Sequence, residues 1–302
     1  MMDLSVELGP VRLRSPLIAA SGTVGSVVDL DETVDWSVYG AAVAKSVSPD
    51  PWHGRPPPRM APAGGGMLNG IGIQNPGIEV WLDEYGEAVG EAPVPVWGSV
   101  VAHDIDGFAT VAAAMTRTRV QAIEINLSCP NLDGMPFALD PKASREVVGA
   151  VRTVTDLPIG AKLSPDAHPI GAVAEAVADG GADWLVVANT ARGAGFDPES
   201  RRPLLSGVIG GYSGDAVRPL GLRCVIETAQ AVPDLPVIGC GGVSSAAHVV
   251  EYLLAGASAV AIGTAHLAQP RIGRKITRDF LRYGKRHGVG AVSELRGAMV
   301  PW

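Results

Sequence analysis

The chain has 302 residues, 47% of them hydrophobic, enough to fill one large core without requiring a second domain. Only 18% of residues are charged, the net charge is -7 and the pI is near 5.4, so no basic field exists to hold a phosphate backbone, and a nucleic-acid partner is excluded. No apolar run approaches the roughly 20 residues of a membrane helix, and Met1 to Pro10 carries Asp3 and Glu7 in place of a signal peptide's basic-then-apolar order, so a cytoplasmic protein that does not engage a membrane is expected.

Eight short apolar runs follow one another along the chain: Pro16 to Ala20, Ala41 to Val47, Val94 to Val101, Ala122 to Leu127, Pro158 to Leu163, Trp184 to Ala188, Pro236 to Gly239 and Ala259 to Ile262. Apolar runs without alternation predict strands buried on both faces, as in a parallel sheet covered by helices. The segments between them supply that cover. Asp140 to Val154 spaces Val147, Val148, Val151 and Val154 at helical intervals behind an Asp140 cap and Pro141, and Gly171 to Ala178, Gly221 to Val232 and Ala246 to Leu254 read as further helices. The prediction is an α/β chain forming a (β/α)8 TIM barrel, residues 1–302 as a single domain. An open doubly wound sheet is the competing architecture, but its Gly-x-Gly-x-x-Gly turn is missing after the first strand. Two stretches, Ser48 to Gly77 and Arg192 to Ser213, break the rhythm and are predicted to be irregular lids or binding loops.

Reacting groups in a barrel sit at the carboxyl ends of strands, and these ends are polar here. Gly241, Gly242, Gly263 and Thr264 close strands seven and eight, where backbone N–H groups commonly cradle a phosphate, although tight turns alone would also use glycine. Lys45 and Lys162 are embedded in apolar strands. A buried ammonium is costly, so each should face an anion or a group that becomes one, or serve as a Schiff-base amine, unless it snorkels to solvent. Asn69, Asn126, Asn131 and Asn189 offer paired donors and acceptors suited to the edge of a cyclic imide or diamide. Three cysteines, Cys129, Cys224 and Cys240, form no Cys-x-x-Cys pair, so no metal site is expected. Cys224 reads as a packing thiol, and Cys240 as one that packs or lies near the phosphate end. Cys129, between a strand and Pro130, reads either as another inert thiol, the commoner case, or as a loop thiol able to alternate between base and acid near neutral pH.

These motifs coincide with a known family. Ala20-Ser21-Gly22-Thr23, Lys45-Ser46-Val47, Gly66 to Gly77, Glu124-Ile125-Asn126-Leu127-Ser128-Cys129-Pro130-Asn131, Lys162-Leu163-Ser164-Pro165, Asn189-Thr190, Gly210 to Gly214, Gly239 to Val243 and Gly263-Thr264-Ala265 together make the chain resemble the class 1 dihydroorotate dehydrogenases over essentially its whole length. The resemblance implies a non-covalent FMN with its phosphate on Gly241, Gly242, Gly263 and Thr264, lined further by Ser21, Lys45, Ser46, Ser99, Asn126, Lys162, Ala188 and Gly214. It implies dihydroorotate held by Lys45, Asn69, Gly70, Ile71, Gly72, Ile73, Asn126, Asn131, Asn189 and Thr190. Cys129 would take the C5 proton while the C6 hydride passes to the flavin, giving orotate for pyrimidine (UMP) biosynthesis. Class 2 members carry serine at that point and a membrane segment, which sets them apart.

The wording of Ile73-Gln74-Asn75-Pro76-Gly77 and Asn189-Thr190 is similar to the NAD-linked subclass. That implies a homodimer core beside an iron–sulfur flavoprotein subunit carrying FAD and a [2Fe–2S] cluster, for which this chain has too few cysteines. Two departures stand out. Ser99 and Trp97 replace an asparagine and a smaller aliphatic residue, and the loop from Leu132 to Asp140 is shortened. They leave room for a flavin-dependent paralogue acting on another cyclic amide. Readings from other classes are a Schiff-base aldolase-type barrel using Lys162 or Lys45, and a barrel kept only as a scaffold.

Overall fold

The computed structural model describes residues 2–30, 32–127 and 136–301. Its barrel strands are β1 (Leu17–Ala19), β2 (Ala41–Val43), β3 (Val96–Val100), β4 (Ala122–Asn126), β5 (Ile159–Lys162), β6 (Trp184–Val187), β7 (Val237–Cys240) and β8 (Ala259–Ile262), all parallel and closed into one ring in chain order. Nearly every strand residue is buried, because helices cover the outer face while side chains fill the interior. The chain therefore adopts the expected (β/α)8 TIM barrel.

Six helices return the chain between strands or close it: α1 (Ile78–Tyr85), α2 (Ile105–Met115), α3 (Pro141–Arg152), α4 (Ile170–Asp179), α5 (Arg218–Ala231) and α6 (Ala246–Leu254), followed after β8 by a short α7 (Ala265–Ala268) and the long α8 (Ile272–His287). Three of their starts are written in the sequence as side-chain caps. Asp140 accepts from the Lys142 and Ala143 N–H groups with Pro141 at the first position of α3, Asp104 accepts from Gly107 at α2, and Ser245 accepts from His248 at α6. The link from β1 to β2 contains only short 3-10 turns among its described residues, Val28–Leu30 and Trp36–Val38.

The barrel floor is aromatic. Trp97 on β3 and Trp184 on β6 stack with ring centroids 4.9 Å apart, both fully buried. Trp184 reaches across Gly160 of β5, where a side chain would collide with its indole ring. Layers of large side chains make such an interior a packed core, leaving the mouth at the strands' carboxyl ends as the place for a ligand.

The two stretches predicted to be irregular are partly ordered into strands. Met60–Ala63, Gly66–Asn69, Ile209–Ser213 and Ala191–Ala194 form a four-stranded antiparallel sheet over the mouth. The sheet escaped the sequence reading because its strands are short and glycine-rich and pair with distant segments.

Candidate active site

One cavity of about 330 Å³ opens between the barrel mouth and this sheet, within the roughly 300–1,000 Å³ usual for small-molecule sites. Of the residues singled out above, Ser21, Lys45, Ser46, Asn126, Lys162, Ala188, Gly214, Gly241, Gly242, Gly263 and Thr264 line it, as do Asn69, Ile71, Gly72, Ile73, Asn189 and Thr190. Ser99 and Gly70 do not. Ser99 is fully buried and bonds to the Ser46 hydroxyl at 2.8 Å, so it meets the cavity only through Ser46. Gly70 is turned into the backbone, its N–H donating to the Arg59 carbonyl at 2.7 Å. Cys129 and Asn131 lie outside the described residues.

At one end, Gly241 (φ 128°) and Gly242 (φ 67°) turn the chain sharply after β7, in backbone conformations that favour glycine. The Tyr252 hydroxyl donates to the Gly241 carbonyl at 2.7 Å and fixes that turn from beneath. After β8, a side chain begun at Gly263 would meet only ordinary contacts, the nearest being Ala20 Cβ at 3.7 Å. A network that sequence reasoning missed ties this end to β1. Tyr39 bonds to His266 Nε2 at 2.7 Å, His266 Nδ1 meets the Thr23 hydroxyl at 3.3 Å, and that hydroxyl donates to the Ala20 carbonyl at 3.0 Å. Burial depresses the His266 pKa to about 4, so the ring is neutral near pH 7.

Across the barrel, Lys162 on β5 faces Glu124 on β4 at 3.8 Å, with both side chains buried. The position of Glu124 was not anticipated, although a glutamate inside Ala-Ile-Glu-Ile-Asn is as conspicuous as a lysine inside Ile-Gly-Ala-Lys. Burial is the largest single influence on Lys162 and works against its ammonium, yet Glu124 and Cys240 together outweigh it and hold the ammonium above its ordinary value. Burial likewise pushes the Glu124 carboxyl up, and Lys162 offsets this only in part. Cys240 borders the same pair, its thiol pushed up by burial. Cys224 is buried on α5, as a packing residue would be.

The sheet over the mouth is fixed by amides. Asn69 donates to the Gly211 carbonyl at 3.1 Å. Asn75, another residue outside the sequence-derived set, accepts from the Ser48 and Gly77 N–H groups at 3.1 and 3.0 Å and donates to the Ile73 carbonyl at 2.8 Å. Its bonds hold the loop that presents Ile71, Gly72 and Ile73 to the cavity. Ile73 sits at φ 52°, an uncommon and strained setting for a β-branched residue that surrounding contacts must maintain.

A barrel with a glycine-lined end at β7 and β8, a buried lysine at β5 and polar groups along its roof defines a class: a TIM barrel with a small-molecule-sized cavity at its mouth. Comparison with known proteins narrows this. The family model for dihydroorotate dehydrogenase matches residues 3–283. The chain is 40% identical over 300 residues to the dihydroorotate dehydrogenase B (NAD(+)) catalytic subunit of Geobacter sulfurreducens, covering 98% of both chains. It is 36% identical over 300 residues to the protein of the same name from Alkaliphilus metalliredigens, covering 99% of both. Among solved structures, dihydroorotate dehydrogenase from Eimeria tenella in complex with ferulenol superposes with a TM-score of 0.84 at 20% identity, over 98% of this chain and 88% of that one, a likeness of fold.

The chain belongs to the dihydroorotate dehydrogenase family. Membership makes it an oxidoreductase and implies a flavin cofactor. The name "catalytic subunit" implies that the two bacterial relatives work with a separate subunit. Among the described residues no helix is long and apolar enough to cross a membrane.

Proposed function

We propose that the protein oxidises dihydroorotate to orotate in the route to UMP, using FMN held in the barrel mouth, as the catalytic subunit of an NAD-linked enzyme. The carrying observation is that a glycine-lined end and a buried, charged lysine lie in one cavity. The residues present fit the cofactor. A side chain at Gly242 would press on Arg218 and the Gly214 carbonyl, and one at Gly214 on Gly66, so that end suits backbone N–H groups approaching a phosphate. Gly241, Gly242, Gly263 and Thr264 would hold the phosphate, with Ser21, Lys45, Ser46, Asn126, Lys162, Ala188 and Gly214 along the ring. When bound, the flavin supplies an acceptor for the hydride that leaves C6.

The chain's own groups do the rest. Lys162 places a fixed positive charge where negative charge develops, an arrangement that needs no reorganisation during the reaction. Asn69, Asn126, Asn131, Asn189 and Thr190 read the amide edge of the substrate, with Lys45 and the Asn69 to Ile73 loop completing the enclosure. Cys129 removes the C5 proton, a step adjacent to a carbonyl that requires a positioned base. Lys162, kept charged by Glu124, has no free amine to attack a carbonyl, which argues against the Schiff-base reading.

Electrons then leave through a partner subunit bearing FAD and a [2Fe–2S] cluster, beside a homodimeric core in the cytoplasm. Steady-state turnover tests this reading. With an artificial acceptor the protein is expected to form orotate from dihydroorotate, and Cys129→Ala to lose at least about a hundredfold in kcat near neutral pH while keeping its FMN. Full turnover in Cys129→Ala would remove that residue from its role.

A further inference from the structure

So far Glu124 has served only as the partner that helps keep Lys162 charged. It is the only buried carboxylate among the described residues, as Lys162 is the only buried ammonium. Its Oε1 accepts no hydrogen bond among those residues, and the Lys162 ammonium 3.8 Å away is the cation that opposes the effect of burial on its charge. Without that charge a carboxylate in such surroundings takes a proton instead. Among the described residues no second buried cation lies on the neighbouring strands. Ser99 of β3 and Gly160 of β5 align with it in register, Trp184 aligns with Gly160 one strand further, and Cys240 of β7 contributes a thiol that burial keeps protonated. The remaining charged groups lining the cavity are Lys45, beyond β2, and Asp215, beyond the mouth sheet.

We propose that Glu124 takes up one proton each time the flavin is reduced, because Lys162 then gives its charge to the reduced ring and leaves the carboxylate without a counter-ion. The inference rests on the placement of FMN against Lys162 proposed above. The charges balance. Before reduction the flavin ring is neutral, Lys162 carries one positive charge and Glu124 one negative. A hydride delivers two electrons and one proton to the ring, which becomes singly negative. Lys162 stays positive, and a proton from water converts Glu124 to the carboxylic acid, so the three groups again sum to zero. When the two electrons pass to the acceptor, the proton leaves. A buried site gains from this neutrality, since an uncompensated charge there is far more costly than in water. Glu124 itself lines the cavity, so the proton can reach it from there.

The test uses the flavin-loaded protein reduced with dithionite, so that it does not depend on which substrate the enzyme takes. The reduced-minus-oxidised infrared spectrum of the wild type should gain a protonated carboxylic C=O band, and the band should shift in protein carrying isotopically labelled glutamate. The flavin midpoint potential should fall with pH at twice the slope in the wild type that it shows in Glu124→Gln, two protons per electron pair against one. Absence of the band, or equal slopes, overturns the proposal. The wild-type spectrum decides alone if Glu124→Gln does not fold. Protein that binds no flavin would overturn the cofactor placement as well, which is distinguishable from bound flavin that is reduced without proton uptake.

Discussion

At the residue scale, His266 has one consistent proton arrangement. The Thr23 hydroxyl spends its hydrogen on the Ala20 carbonyl, so His266 Nδ1–H donates to Thr23 while Nε2 accepts from the Tyr39 hydroxyl. Burial also raises the Tyr39 pKa, keeping that phenol a donor. Because the folded His266 pKa is depressed to about 4 from an ordinary 6.5, the unfolded chain binds this proton first as pH falls. The stabilisation by neutral His266 is complete above pH 6.5 and is lost progressively down to about pH 4. We expect unfolding in urea to show His266→Gln losing less stability than wild type over that window, by on the order of 3 kcal/mol. Parallel pH profiles for the two proteins would contradict the assignment. Lys45 and Lys162 were legible in the sequence as charges inside apolar strands. Glu124 was equally visible as a letter, but its partnership with Lys162 depends on the β4–β5 register, which no local pattern states.

At the scale of elements, the strands and helices around the barrel were legible because the strands are largely apolar and three of the helix caps are local. The sheet over the mouth was not. Asn69 and Gly211 meet although 142 residues separate them, and a glycine-rich strand of four or five residues carries no periodicity of its own. The same reasoning explains why Asn75 was not singled out. Its side chain ties Ser48, Ile73 and Gly77 together within a loop whose backbone makes few other regular bonds. Asn75→Ala strands buried donors at Ser48 and Gly77, a loss of about 1–3 kcal/mol. Since the loop presents Ile71 to Ile73, the variant should raise KM for dihydroorotate more than it lowers kcat. Steady-state kinetics with an unchanged KM would show that the loop does not touch substrate.

For the whole molecule, the barrel divides its labour along its axis. The floor is closed by Trp97 and Trp184, the middle carries the Glu124–Lys162 pair, and the mouth combines glycine turns with the amide-bearing roof. Ser99 and Trp97, two departures noticed in the sequence, fall on the same strand as adjacent inward steps, and the structure gives Ser99 a supporting place behind Ser46. The central claim is that dihydroorotate reduces a flavin bound in this mouth. Anaerobic mixing of the FMN-loaded protein with dihydroorotate tests it most directly. The account predicts rapid bleaching of the oxidised flavin absorbance, greatly slowed in Cys129→Ala. Flavin that dithionite bleaches but dihydroorotate leaves oxidised would contradict it.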